Sequence, residues 1–355
     1  MPSGVSSPTR QPREQPGTGL GVFPQATVVD SMHEGLGARR VMTNPLRVIT
    51  LSPALATEPV GIDPDDPAIW VHPSQPEKSL VLGTNKTSAA EGGALYVFGL
   101  DGKIRQIVSG LDRPNNVAVS GSLAAVTERL KSRLRFFRIS DTPRPLTDAG
   151  TLPVFVGDKD DFAAPMGVAF YLRPRDKALF VIVGRKSGPA SGYLEQWRLS
   201  VSGARISGNL VRRFGNYSGK KEIESIAVDD AAGLVYYSDE GFGVRCWSAD
   251  PDAPNANHER RVFAKTGWKG DHEGIAFWGK FVVCTDQILG GSLHYGFEKA
   301  NPDTPRFVIR GGADETDGIE IHDKPLGKRF PNGLLVAMNS GPKNVLYYAL
   351  PPVIP

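Results

Sequence analysis

Ile226-Ala227-Val228-Asp229-Asp230, Leu234-Val235-Tyr236-Tyr237-Ser238-Asp239-Glu240 and Val244-Arg245-Cys246-Trp247 follow one another with only short polar turns between them. The first segment is a small apolar strand. The second is rich in Val, Leu and Tyr and ends in polar residues. The third carries an aromatic pair position. Alternation and the enrichment in β-branched and aromatic residues make each a strand. The same three patterns recur in the same order six times along the chain. The first appears again as Ala68-Ile69-Trp70, Val117-Ala118-Val119, Val168-Ala169-Phe170, Ile275-Ala276-Phe277 and Ile319-Glu320-Ile321. The third appears again as Leu95-Tyr96-Val97-Phe98, Leu134-Arg135-Phe136-Phe137, Leu194-Glu195-Gln196-Trp197, Leu293-His294-Tyr295 and Val345-Leu346-Tyr347-Tyr348.

Units of about 40–60 residues match the period of propeller blades, which have four strands each. Fourth strands are expected at Lys103–Val108, Thr151–Val156, Gly208–Phe214, Arg260–Ala264 and Arg306–Ile309. The sixth unit ends at Leu350 with almost no chain after it, so its last strand must come from elsewhere. The apolar segment Leu46–Ser52, just before the first unit, is expected to complete the last blade and close the ring, removing an exposed edge. The fold expected is therefore all-β, a six-bladed β-propeller over residues 45–355. A parallel βαβ fold would need amphipathic helices between strands, and none is convincing. Six matched units argue against a β-sandwich.

The chain has 355 residues with 40 Gly and 29 Pro, a composition of many turns and little helix. Its formal net charge is +3, without the basic stripe of a nucleic-acid binder. No window of 18 apolar residues suggests a membrane span. Met1–Asn44 is rich in Ser, Pro, Gly, Thr and Arg, lacks periodicity and reads as a disordered tail; no secretory signal is visible in it, nor after an alternative start at Met32 or Met42. Cys246 and Cys284 lie in strands and read as small buried apolar residues, with a disulfide left open.

In a propeller the start of each first strand lies beside the end of the second, near the axis. Those positions form an uneven ring. Before the first strands stand Asp65 and Asp66, Asn115 and Asn116, Pro165 and Met166, Glu222 and Glu224, Asp271 and Glu273, and Asp314 and Asp317. Ending the second strands stand Lys86, Arg129, Arg185 with Lys186, Asp239 with Glu240, Asp286 with Gln287, and Asn339. Cations come from blades one to three; carboxylates come from blades four to six, with Asp66. Carboxylate oxygens select hard cations such as Ca²⁺, and convergent carboxylates repel unless a metal neutralises them. Lys and Arg opposite suit a polyanion, above all phosphate. Cys-, His- and Asp-nucleophile phosphatase motifs are absent from the sequence, and its six histidines lack zinc-ligand spacing. His272, inside the acidic stretch, reads as a supporting or exposed residue.

Asp65-Asp66-Pro67-Ala68-Ile69-Trp70, Gly83-Thr84-Asn85-Lys86, Pro114-Asn115-Asn116-Val117, Asp271-His272-Glu273-Gly274 and Glu315-Thr316-Asp317-Gly318-Ile319 together resemble the calcium-dependent β-propeller phytases, with similarity from about Leu46 to Leu350. The resemblance implies Asp66, Glu224, Glu240, Glu273 and Asp317 as calcium ligands and Lys86, Arg129 and Lys186 as phosphate holders, with Arg185 an alternative to Lys186. The ring adds Asp65, Asp239 and Asn339 to the candidate metal set. Asp66, Glu224, Glu273 and Asp317 are the expected catalytic carboxylates. The implied reaction is hydrolysis of phosphate monoesters, phytate first, by a water activated on several calcium ions. The expected partner is a small-molecule substrate, taken alone or as its calcium complex, by a monomer. The family is mostly secreted, which would place the protein outside the cell or in the periplasm. Thr87, Met166 and Asn339 depart from the family pattern, where a Lys, a Tyr and an acidic residue are expected. Two other readings stay open at this point: a calcium-dependent lactonase or esterase propeller, and a non-catalytic binding propeller.

Overall fold

The computed structural model describes residues 46–203 and 205–352; the N-terminal segment read as a tail lies outside them. Six sheets follow one another along the chain, antiparallel throughout except for one added edge strand. Blade one is Pro64–Trp70, Leu80–Asn85, Ala94–Gly99 and Ile104–Ser109; blade two is Pro114–Ser120, Leu123–Glu128, Arg133–Ile139 and Leu146–Pro153. Blade three is Pro165–Leu172, Leu179–Arg185, Ser191–Ser202 and Arg205–Asn216; blade four is Ile226–Asp229, Leu234–Asp239, Gly243–Ser248 and Arg261–Phe263. Blade five is Asp271–Trp278, Phe281–Gln287, Leu293–Glu298 and Asn301–Arg310; blade six is Ile319–His322, Leu334–Asn339 and Asn344–Ala349. The chain is thus a six-bladed β-propeller. No helix among the described residues is long and apolar enough to cross a membrane.

Successive residues of a strand face opposite sides of its sheet, and here both sides are buried. In blade three, Val181 and Val183 pack with Phe136 and Leu134 of blade two, while Phe180 and Ile182 pack with Val235 and Trp247 of blade four. An apolar cluster of this kind lies between every adjacent pair of blades, including blades six and one. Burial on two faces explains why the second strands read as near-continuous apolar runs rather than as an alternation. Cys246 and Cys284 are free thiols within the cluster between blades four and five.

An N-terminal strand completes the last blade, but it is not the segment expected. Leu55–Ala56 pairs antiparallel with Tyr347 and Leu346 and supplies the fourth strand of blade six. Within Leu46–Ser52, Arg47–Thr50 instead adds a fifth, parallel strand to the outer edge of blade five, opposite Phe307–Arg310. Both segments are apolar and adjacent, so hydropathy could not choose; the two-residue strand was too short to register. The closure is reinforced after Ala56. Thr57 N donates to Val345 O at 3.0 Å, and Val345 N donates to the buried Thr57 Oγ1 at 3.0 Å.

Thr57→Ala removes that acceptor and strands a buried N–H. It should lower unfolding stability by about 1–3 kcal/mol in denaturant titration. An unchanged midpoint and slope would contradict a role for this clasp in holding the ring shut.

Candidate functional site

The inner strands of blades one, two, three and five slip register by one residue where they begin: Pro64 faces Asn85 but Pro67 faces Gly83, and the same shift recurs at Pro114/Val117, Pro165/Val168 and His272/Ile275. A bulge leaves residues off the ladder and re-aims their side chains. Asp65, Asp66, Asn115, Asn116 and Glu273 occupy such bulges. Hydroxyls at the ends of second strands then fix the neighbouring blade. Thr84 Oγ1 donates to Asn115 O at 2.7 Å, and Ser238 Oγ donates to Glu273 O at 2.8 Å. Gly274 N donates to Asp317 O at 2.6 Å and Gly318 N to Asp65 O at 3.1 Å. At Gly167 a Cβ would stand 2.1 Å from Glu224 O, so only glycine lets blade three approach blade four this closely.

These ties gather side chains from five blades around Lys86. Its ammonium pairs with Asp65 and lies 3.7 Å from Glu224 Oε1 and 3.8 Å from Asp317 Oδ2. Asn115 Nδ2 donates to Asp65 Oδ2 at 2.9 Å and also to Glu224 Oε1. Arg129 Nη1 donates to Asn115 Oδ1 at 3.0 Å, which hangs the guanidinium beside the cluster. Gln287 holds Asp317 Oδ1. Glu222, Glu224 and Glu240 bring one carboxylate oxygen each within 4.8 Å of one another.

The electrostatics are unbalanced. Burial, then Glu240, Glu224 and Asp317, raises Glu273 well above the usual carboxylate range; burial also raises Asp65, against the pull of Lys86. Asp317 is pushed up to about 7 by burial, and Glu240 to about 10 by burial with Glu224, Glu222 and Asp271. Burial alone would lower Lys86, but Asp65, Glu224 and Asp317 outweigh it and hold the ammonium well above its ordinary value. One lysine therefore faces more carboxylates than it can neutralise.

The residues fit a hard divalent cation. Glu240 Oε1 and Glu273 Oε2 are buried and have no hydrogen-bond partner among the described residues. Such oxygens are costly unless a ligand takes them. The donor set is all oxygen, as Ca²⁺ prefers. His272 does not join it: Nε2 pairs with Ala264 O at 2.8 Å, and the ring lies on Trp268, centroids 4.1 Å apart.

Several expected site residues lie elsewhere. Asp239 is buried against Arg245, whose Nε donates at 2.7 Å, and accepts from Ser218 N at 2.9 Å. Asn339 accepts from Asp314 N and donates to Asn344 Oδ1, each at 2.9 Å. Arg185 is enclosed: it donates to Asp158 at 2.7 Å and to Tyr193 O at 3.0 Å and sits over the Phe155 ring. All three end second strands, but their side chains serve neighbouring strands and loops. Asp66 parts from Asp65. Its Oδ2 accepts from Val117 N at 2.9 Å, and the residue lines an axial cavity of about 230 Å³ with Asn116, Asp230 and Glu320. Glu320, pushed up to about 7 by burial, is outside the expected site set, although its charge inside the apolar strand Ile319-Glu320-Ile321 marks it. Lys186 reaches the cluster's edge by pairing with Glu222.

A sequence model of the phytase family matches residues 26–132 and 159–345. The chain belongs to the phytase family. A 3-phytase of Bacillus subtilis (strain 168) is 26% identical over 300 residues, covering 78% of this chain and 74% of the relative. A solved structure of a protein from Lactobacillus plantarum has a similar fold, with a TM-score of 0.51 at 14% identity over 80% of each chain. The β-propeller domain of Myceliophteria thermophila Cps50 (Swd1) superposes with a TM-score of 0.48 at 10% identity, over 80% of this chain and 83% of that one. The family membership makes the protein a phytase-like hydrolase, and the Lys86 cluster is its candidate active site.

A carboxyl with a folded pKa above its unfolded value binds extra protons when folded. Its favourable contribution is full below the unfolded value, 4.5 for Glu240, and is lost as pH rises through about 10. In chelator, stability should therefore fall between about pH 5 and 9, and Glu240→Gln should flatten that slope, gaining about 1 kcal/mol or more at the alkaline end. Parallel stability–pH curves for the two proteins would contradict the placement of Glu240.

Proposed function

We propose that this phytase-like hydrolase releases phosphate from phytate in a calcium-dependent reaction. The observation that carries the reading is the Lys86 cluster itself: buried carboxylates in excess of the local cations, with the cationic side chains of Arg129 and Lys186 beside them. Asp65, Glu224, Glu240, Glu273 and Asp317 would hold the cations. Bound calcium would supply charge neutralisation and a water of lowered pKa for attack on phosphorus. Lys86, central among the carboxylates, would meet the transferring phosphoryl group and absorb charge on its oxygens. Arg129, oriented by Asn115, can offer two parallel N–H donors to a second phosphate oxygen pair. Lys186, on the blade-three side, would take a further phosphate of a polyanionic substrate. None of these steps needs a Ser, Cys or His nucleophile.

The bulges and glycine contacts have a direct consequence for this chemistry. They hold Asp65, Glu273 and Asp317 by backbone ties, so much of the site is positioned before substrate arrives and less reorganisation is left for the reaction. Met166, buried in place of the tyrosine expected from the family pattern, removes one phosphate donor from blade three. Affinity must then rest more heavily on Arg129 and Lys186.

Phosphate release from phytate should proceed with Ca²⁺ and stop in excess chelator. Asp317→Ala should lower kcat/KM by about 10²-fold or more, as loss of an electrostatic stabiliser does. Arg129→Ala should act mainly through KM. Equal release in calcium and in chelator would overturn the proposal.

A further inference from the structure

Glu222 stands outside the set of ligands that the sequence singles out, yet it is tied into the cluster. Glu240 N donates to Glu222 O at 3.1 Å, which sets the two residues side by side at the mouth of blade four. The Glu222 carboxylate approaches Glu224 and Glu240, and Glu240 is 4% exposed with Oε1 unpartnered among the described residues. Glu222 Oε2 is also paired with Lys186 Nζ. One carboxylate is therefore claimed twice: by the three-oxygen cradle and by the ammonium of blade three.

The two claims compete for the charge of one carboxylate. A divalent cation seated among Glu222, Glu224 and Glu240 would repel an ammonium on the same carboxylate in a partly desolvated setting. The two lysines also differ in how firmly they are held. The Lys86 side chain is 16% exposed and faces three carboxylates, whereas that of Lys186 is 32% exposed and has one. Its backbone is anchored by Lys186 N donating to Ala164 O at 2.8 Å, so only the flexible stem has to move.

We propose that Glu222 is a further divalent-cation ligand and Lys186 its exchangeable counter-ion: a cation held by Glu222, Glu224 and Glu240 displaces the Lys186 ammonium, which is then free to take a phosphate group of the substrate. The inference rests on the calcium-dependent phosphatase reading and adds an order to it. Cation binds first; phosphate binds second, because its lysine is released only then. The two sites are coupled, and by linkage phosphate must tighten cation binding in return.

Calorimetric titration of Ca²⁺ into the chelator-treated full chain tests the exchange in Lys186→Met, Glu222→Gln and the double variant. Lys186→Met should tighten Ca²⁺ roughly threefold, the scale of a partly exposed ion pair. Glu222→Gln should weaken it, and Lys186→Met should then have no further effect. An equal gain in both backgrounds would reduce Lys186 to a distant charge and overturn the exchange. On the unmodified chain, Ca²⁺ should speed acylation of the Lys186 amine by an amine-reactive reagent, read by mass spectrometry; an unchanged or slower rate overturns it too. Neither measurement involves turnover. A failed phytate assay with the cycle intact would overturn the phosphatase reading alone.

Discussion

Mutual repulsion among buried carboxylates is the constraint on which the site depends. Asp65, Glu224, Glu240, Glu273 and Asp317 come from four different blades, and backbone hydrogen bonds tie blade six to blades one and five beside them. Each would prefer water. In the fold they are desolvated and raised in pKa where the shift is resolved, and three of them, Asp65, Glu224 and Asp317, share the one ammonium of Lys86. A protein holds such an arrangement at a cost to stability, as functional sites commonly do. The propeller meets that cost with apolar clusters between all adjacent blades.

The site is also a product of how blades touch. The side chains that carry the chemistry do not position themselves; small groups behind them do. Thr84 and Ser238 hold the backbones of Asn115 and Glu273 in the next blade, and Gly167, Gly274 and Gly318 admit close backbone approach. Asn115 then bridges Asp65, Glu224 and Arg129, joining carboxylates and cation in one hydrogen-bonded unit. A shift of one blade against its neighbour would separate these groups, so ring closure at Leu55–Ala56 and the geometry of the site are linked.

Much of this was legible in the sequence because burial on both faces of a blade writes a strong apolar pattern. The six repeats gave the blade count, and the strand ends located Lys86, Arg129, Lys186, Glu224, Glu273 and Asp317 near one face. What the pattern could not show was direction. A bulge has no compositional mark, so Asp65 and Asp66 read as a pair although one meets Lys86 and the other the axial cavity. Equivalent strand ends read as equivalent in space, yet Asp239 turns to Arg245 on the neighbouring strand and Arg185 to Asp158 in a loop, because opposite charges stand there. Leu55–Ala56 failed for another reason: two residues carry no periodicity.

The central claim is that bound cation neutralises the carboxylate cluster, and a melting curve tests it most directly. Calcium titrated into chelator-treated protein should raise the melting temperature progressively, with the concentration dependence of a ligand that binds only the folded state. Magnesium, which tolerates a large carboxylate cage poorly, should do less. Superimposable melting curves in calcium and in chelator would contradict the account.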